Sequence, residues 1–310
     1  MKIQASYMSE PLVSILTVQY QQFDLTLQFL ESISQIEYQN YELIVVDNGS
    51  EKNGQTEIQR RFPKVQFIQS EKNLGFAGGN NLGLESCKGE FILFINNDTE
   101  VEPDFLTKMI HYGNRLPNLG MMSPRIQYYH PKGVIQYAGS TELNTFTLRN
   151  RSLGYGEVDR GQYSKSYSTA YVHGAGMLVP KTVIDQVGKM ENDFFLYYEE
   201  YDWCARIKKA GYEIHYCGQA LIYHKESMSV GKTSALKTFY MTRNRIWFAL
   251  RNIEKPKQYL TLIFLYCLAL PKQILLFILK NRFDLVHASW RGMWFKQSEY
   301  ENRNRSTADI

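Results

Sequence analysis

A chain of 310 residues, 44% hydrophobic and 21% charged, can bury a substantial core, as one large α/β domain or one domain with an appendage. Cys87, Cys204, Cys217 and Cys267 lie far apart with no CxxC pair, which excludes a zinc site and a disulfide framework and points to a reduced, cytosolic chain with no signal peptide before Pro11. The formal net charge of +4 is uneven: residues 220–296 carry thirteen Lys or Arg against three Asp or Glu, so the rest of the chain is acidic and the basic third suits an anionic partner, nucleic acid or an anionic membrane surface, unless it is a plain solvated face.

Residues 1–10 read as a polar lead-in. Residues 13–18 read as a strand, followed by Asp24 as a helix cap and an apolar stripe at Leu25, Phe29, Ile33 and Ile36. A second strand over 42–46 runs into Asp47-Asn48-Gly49-Ser50, and a third occupies 65–68. Between it and the next strand, residues 73–83 are dense in glycine. Such a loop before a helix lets backbone amides approach phosphate oxygens, although a plain flexible loop has the same composition. It is neither GxGxxG after the first strand nor a GKS/GKT phosphate loop, which counts against dehydrogenase and P-loop readings.

The fourth strand is the apolar run 91–95, which stops in Asn96, Asn97 and Asp98. Five apolar residues in a row read as a strand buried on both faces of a parallel sheet, whose C-terminal edge is where such sheets bind ligands. One carboxylate among neutral oxygen donors suits a divalent cation that keeps its other positions for water and a phosphorylated substrate; a simple turn is the plainer alternative. Strands alternating with helical patterns predict βαβ units and a doubly wound, mostly parallel sheet.

From about 121 to 171 the pattern dissolves into Tyr-, Gly- and Ser-rich segments that read as substrate loops, or as surface hairpins. Regularity returns with the Gly-rich approach 173–179. Glu199, Glu200 and Asp202 then arrive behind an aromatic run and before a helical pattern ending near Gly211. One acid, Asp202, serves as a cap; the surplus beside apolar rings is what a general base needs for its pKa to rise toward working pH. A strand over 220–224 ends in His224, which suits a metal or phosphate contact, or a polar surface. After the helical pattern 234–252, residues 259–279 look like a membrane span until Pro271, Lys272 and Gln273 interrupt them, leaving 260–270, too short to cross a bilayer. Two short helices bent at Pro271, flanked by Lys255, Lys257, Lys280 and Arg282, fit an interfacial anchor on an anionic leaflet; buried packing helices or a homodimer interface are the alternatives.

Taken in order, the segments 13–20, 45–50, 73–83, 91–98, 174–179 and 199–206, with His224, resemble the inverting family 2 glycosyltransferases of the glycosyltransferase A fold, within them the bacterial rhamnosyltransferases of cell-surface polysaccharide synthesis. The likeness covers roughly 11–252 as a catalytic domain, followed by the basic, apolar helical segment 253–296 and a polar tail, 297–310. It implies transfer of a sugar, rhamnose above others, from a nucleoside-diphosphate donor such as dTDP-rhamnose or a UDP-sugar to a glycan or lipid-linked glycan, in the cytoplasm and peripheral to the inner face of the plasma membrane, with no nucleic-acid partner. By the same likeness Val18, Tyr20, Asp47, Gly75, Gly79, Asn80, Asn97 and Gly174 line the nucleotide-sugar crevice. Asp98 and His224 hold Mg²⁺ or Mn²⁺, Glu200 is the catalytic base, and Glu199, Asp202, Trp203 and Arg206 support it or the acceptor. Asn96 and Asn97 depart from an acidic pattern, and Gln19 and Gln21 from smaller residues beside Tyr20. A catalytically inactive binding module and a sugar nucleotidyltransferase are the competing readings.

Overall fold

The computed structural model describes residues 10–52, 54–225 and 234–295. The expected polar tail, and all but the last residue of the lead-in, fall outside them. The chain divides into two compact units, one of 1–143 with 150–229, the other of 144–149 with 230–310. Residues 235–252 therefore group with the C-terminal helices rather than with the first unit.

The first unit begins with three strand–helix repeats: β1 (Val13–Gln19), α1 (Phe23–Ile33), β2 (Tyr41–Asp47), α2 (Gln55–Arg61), β3 (Val65–Gln69) and α3 (Gly75–Leu84). The strands are nearly continuous apolar runs because helices cover both faces of the sheet. Helix α1 buries Thr26, Phe29, Leu30 and Ile33, and is capped at Gln22; Asp24 lies inside its first turn instead of at the cap.

The glycine-dense stretch is not a loop but α3 itself. A Cβ on Gly79 would meet Val18 Cγ1 at 2.8 Å, and one on Gly83 would meet Leu16 Cδ1 at 2.3 Å and Val46 Cγ2 at 2.7 Å. Glycine is there so that the helix backbone can lie on β1 and β2, and this close packing outweighs the poor helix propensity that suggested a loop.

Next come β4 (Phe91–Ile95), β5 (Thr99–Val101), α4 (Phe105–Gly113), β6 (Leu119–Tyr128), β7 (Ile135–Tyr137), β8 (Tyr167–Ser168), β9 (Gly176–Pro180), α5 (Lys181–Val187), α6 (Glu199–Lys209) and β10 (Glu213–His224). All ten strands join one sheet in the order β3-β2-β1-β4-β9-β6-β10-β5, with β7 on β6 and β8 on β10. Its first half is parallel, as expected. The second half is mixed, because β9 runs antiparallel between β4 and β6. Strand β6 lies in the stretch read as irregular; Ser123, Pro124 and Arg125 break its apolar pattern although Ser123 is fully buried.

The second unit holds α7 (Ala235–Asn252), α8 (Lys257–Phe264), α9 (Leu270–Leu279) and α10 (Phe283–Met293). Pro271 does not separate two helices. A π-helical turn, Leu265–Ala269, takes up the misfit ahead of the proline, and 257–279 is one helix of 23 residues, long and apolar enough to cross a membrane. Gln273 turns inward to Thr242 Oγ1 (3.3 Å) and Ser289 Oγ (3.1 Å). Thr261 Oγ1 donates to the Thr145 carbonyl at 2.6 Å, and Phe146 stacks on Phe264, which ties the excursion 144–149 to this unit.

Candidate active site

The site forms at the C-terminal ends of β1, β2 and β4. Register pairs Gln19 with Asp47, so the last residue of β1 faces the last of β2. Gln19 Nε2 donates to Asp47 Oδ1 at 2.6 Å and to Ser50 Oγ at 3.1 Å, and the Ser50 amide adds a bond to Oδ1 at 3.2 Å. Asp47 is fully buried and its Oδ2 has no partner among the described residues, which leaves a buried carboxylate oxygen unpaired at some cost. Gln19, which the sequence marked only as a departure, thus aims Asp47. Tyr20 follows with its ring 42% exposed, open for stacking.

Asn48, which sequence reasoning passed over, fastens the segment before α3. Its Nδ2 donates to the Gly75 carbonyl (2.9 Å) and to Asn73 Oδ1 (3.1 Å), and its Oδ1 accepts the Leu74 amide. The only hint was its place in Asp-Asn-Gly-Ser. Gly75 has φ +75°, and a Cβ there would strike the Phe195 carbonyl at 2.3 Å. Val18 is half-buried against Gly79. Two expected crevice amides are spent on the scaffold: Asn80 Nδ2 on the Phe76 carbonyl, and Asn97 Nδ2 on Thr26 Oγ1 (3.0 Å) and the Gln22 carbonyl (3.4 Å). Gly174 has open space where a Cβ would stand.

Asp98 and His224 do come together. Edge strand β5 pairs Thr99 with His224, the Lys225 amide donates to the Asp98 carbonyl, and His224 Nε2 lies 3.2 Å from Asp98 Oδ1. Asn96 Nδ2 is 3.4 Å from the same imidazole nitrogen, and Gln136 Oε1 is 2.9 Å from Nδ1. No cluster of three or more acidic, His or Cys ligands occurs among the described residues. A carboxylate and an imidazole are donors suited to Mg²⁺ or Mn²⁺, and these two side chains would hold such a cation.

Glu199 and Glu200 open α6. Their approach is strained, with Phe195, Tyr197 and Tyr198 all left-handed at φ 61°, 69° and 74°. Such residues cost about 1–3 kcal/mol each and concentrate at functional sites. Tyr198, not Asp202, is the N-cap. Asp202 is fully buried, 2.7 Å from Arg206 Nε, whose guanidinium also reaches the Val187 and Lys189 carbonyls. Trp203 donates to the Gly188 carbonyl. These three therefore brace the helix. Removal from water, with the Glu200 charge alongside, drives the Glu199 pKa well above the usual carboxylate range. Desolvation lifts Glu200 to about 7, opposed by the backbone amides at the helix start. Among the described residues each has one buried oxygen, Oε2, without a hydrogen-bond partner.

Glu200 borders a cavity of about 240 Å³ lined also by Gln136, Tyr137, Tyr155, Tyr171, His173 and Tyr201. The Tyr-rich stretch read as substrate loops supplies much of that wall. His173, another residue the sequence did not single out, bridges the cavity and the Asp98–His224 pair. Its ring lies 5.8 Å from that of His224, and desolvation together with that neighbour lowers its pKa to about 3, so it is a neutral imidazole whose Nδ1 accepts the Ala175 amide.

Comparison with known proteins identifies the chain's relatives. The sequence pattern of the family described as Glycosyl transferase family 2 matches residues 14–186. An uncharacterized Sinorhizobium fredii protein is 30% identical over 71% of this chain and 25% of its own length. A Haloferax volcanii low-salt glycan biosynthesis hexosyltransferase is 27% identical over 66% of each chain, so this chain spans between a quarter and two thirds of these two relatives. A Mycobacterium tuberculosis N-acetylglucosaminyl-diphospho-decaprenol L-rhamnosyltransferase is 22% identical over 67% of this chain and 74% of its own. Among solved structures, a Pyrobaculum calidifontis mannosyltransferase in complex with GDP-Man and Mn²⁺ superposes with TM-score 0.60 at 15% identity, covering 94% of this chain and 89% of that one. The chain has the glycosyltransferase A fold and belongs to glycosyl transferase family 2.

Proposed function

We propose that the protein transfers a sugar, rhamnose above others, with inversion, from a nucleoside-diphosphate donor to a hydroxyl of a glycan or lipid-linked glycan in cell-surface polysaccharide synthesis. The observation that carries this reading is Glu200: a carboxylate on a cavity wall, one oxygen unpartnered, with its pKa brought near 7. A base of that strength accepts a proton at working pH without a large free-energy cost. The acceptor hydroxyl gives its proton to Glu200, and its oxygen forms a bond to the anomeric carbon as the bond to the diphosphate breaks on the opposite face. Asp47 and Tyr20 hold the nucleoside. Asp98 and His224 would hold a divalent cation, which when bound would offset charge on the departing diphosphate. The choice of rhamnose draws on the mycobacterial relative.

A thermal-shift panel of dTDP, UDP and GDP and their sugars, with and without Mn²⁺, tests the donor side, since a ligand that binds only the folded state raises the midpoint. A Mn²⁺-dependent shift with one pyrimidine nucleotide is expected. No shift in folded protein would favour the inactive binding module, and pyrophosphate among the products would favour the nucleotidyltransferase.

We further infer that the second unit seats on an anionic membrane surface. Residues 234–295 carry ten Lys or Arg against two Asp or Glu. The long helix leaves Leu260, Ile263, Leu268, Leu275 and Leu279 largely exposed, the last at 71%. Trp290 and Trp294, both exposed and 5.8 Å apart, are the residue type that settles at a headgroup boundary. Binding of the full chain to phosphatidylserine vesicles but not to neutral ones, with a blue shift of tryptophan emission, is expected; a stable dimer that ignores vesicles would sink this assignment.

A further inference from the structure

Gln136 belongs to no motif, yet it stands between the two halves of the site. It lies in β7, itself held to β6 by pairing of Ile135 with Gln127 and Tyr137 with Ile126. Only 3% of its surface is exposed, and it lines the same cavity as Glu200. Its Oε1 sits 2.9 Å from His224 Nδ1. An amide oxygen only accepts, so the nitrogen facing it carries the proton. Nε2 faces Asp98 Oδ1 and the Asn96 amide, and with a proton already held on Nδ1 it can release any proton it shares with Asp98 to a cation placed between them.

We propose that Gln136 is a positioning residue that fixes the Nδ1–H tautomer of His224, leaving Nε2 free to join Asp98 on a divalent cation. The inference rests on the cation-holding role given above to Asp98 and His224. Its physics is general: an imidazole ligand is oriented and made more basic by the acceptor its other nitrogen meets, and loss of that acceptor typically weakens metal binding 10- to 100-fold. Because Gln136 is also cavity wall, the residue that prepares the cation pair borders the space where Glu200 works. Asp98 alone, an acceptor beside Nε2, favours the opposite tautomer, with the proton on Nε2.

Two readouts on the full chain test this. Nitrogen-15 correlation spectra of the histidine rings without metal read the tautomer directly. His224 is expected to carry a proton on Nδ1 in the wild type and in Gln136→Glu, whose carboxylate also accepts, and on Nε2 alone, facing Asp98, in Gln136→Leu or Gln136→Met. Electron paramagnetic resonance of Mn²⁺ in the presence of UDP or dTDP is expected to show at least tenfold weaker binding in the apolar variants and recovery in Gln136→Glu. An unchanged tautomer, or Mn²⁺ binding within threefold of wild type, in a folded apolar variant would overturn the proposal. The Leu and Met variants differ in shape, so a fold defect in one leaves the other to decide. Wild-type protein that shows the Nδ1–H tautomer but binds no Mn²⁺ would sink the cation role instead and leave the positioning of His224 standing.

Discussion

Trp203 meets Phe94 edge-on, ring centroids 5.4 Å apart and planes at 80°, and so keys the helix that carries Glu200 to the strand that ends before Asp98. Both rings are almost wholly buried. Trp203→Ala should cost about 3–5 kcal/mol in denaturant unfolding, from lost packing and the cavity left behind. Trp203→Phe should cost less and keep an edge contact, while leaving the Gly188 carbonyl without its donor.

Proton removal by Glu200 makes the reaction pH-dependent in one direction. With its pKa near 7, kcat/KM should rise with pH through that value and level off above it. Glu200→Gln should lower kcat by about 10²–10⁴-fold, the usual span for general-base catalysis, and abolish that rise. A residual rate within tenfold of wild type would assign the base elsewhere.

The same group bears on stability with the opposite benefit. The folded-state pKa is raised, so the protonated form favours folding, and that contribution is complete below the unfolded pKa, near 4.5, and lost as pH climbs through about 7. Glu200→Gln should therefore be more stable than wild type at pH 8, by on the order of 3 kcal/mol, and equal to it at pH 4. Unfolding midpoints at the two pH values check this; a gain at pH 4 alone would contradict the sign.

Asp98→Ala should remove any Mn²⁺-dependent part of the thermal shift seen with nucleotide while the metal-free nucleotide shift through Asp47 and Tyr20 persists. Equal Mn²⁺ dependence in variant and wild type would place the cation elsewhere.

Gly83→Ala should destabilise by about 1–3 kcal/mol, because the added methyl would overlap Leu16 and Val46 beneath α3. Gly174→Ala, where nothing lies within 4 Å, should be far milder. If the two behave alike, the close approach of helix to sheet is not what glycine provides.

Legibility followed locality. The strands β1 to β4 could be read from continuous apolar runs, and the raised acidic pair Glu199-Glu200 from a surplus of acids behind aromatic residues. Harder to see was anything set by a distant partner. The glycines of α3 answer to side chains on β1 and β2, Asp202 answers to Arg206 and not to the helix end, and Gln136 acts on a histidine 88 positions away. Pro271 misled because the remedy, a π-helical turn ahead of it, has no sequence signature of its own. Asn97 and Asn80 have the right chemistry for a crevice, yet their amides were claimed by neighbours that only the folded register reveals.

Strand order also sets a timetable for synthesis. By the time Ile95 has left the ribosome, β4 can pair with β1, but its other edge waits for β9, whose Gly176 is the partner of Ile95. Until then a strand of five apolar residues offers bare backbone to any passing chain, the situation that invites intermolecular pairing. Nascent chains halted near residue 150 should be the most aggregation-prone intermediates, and the danger should end once β9 emerges to close the sheet.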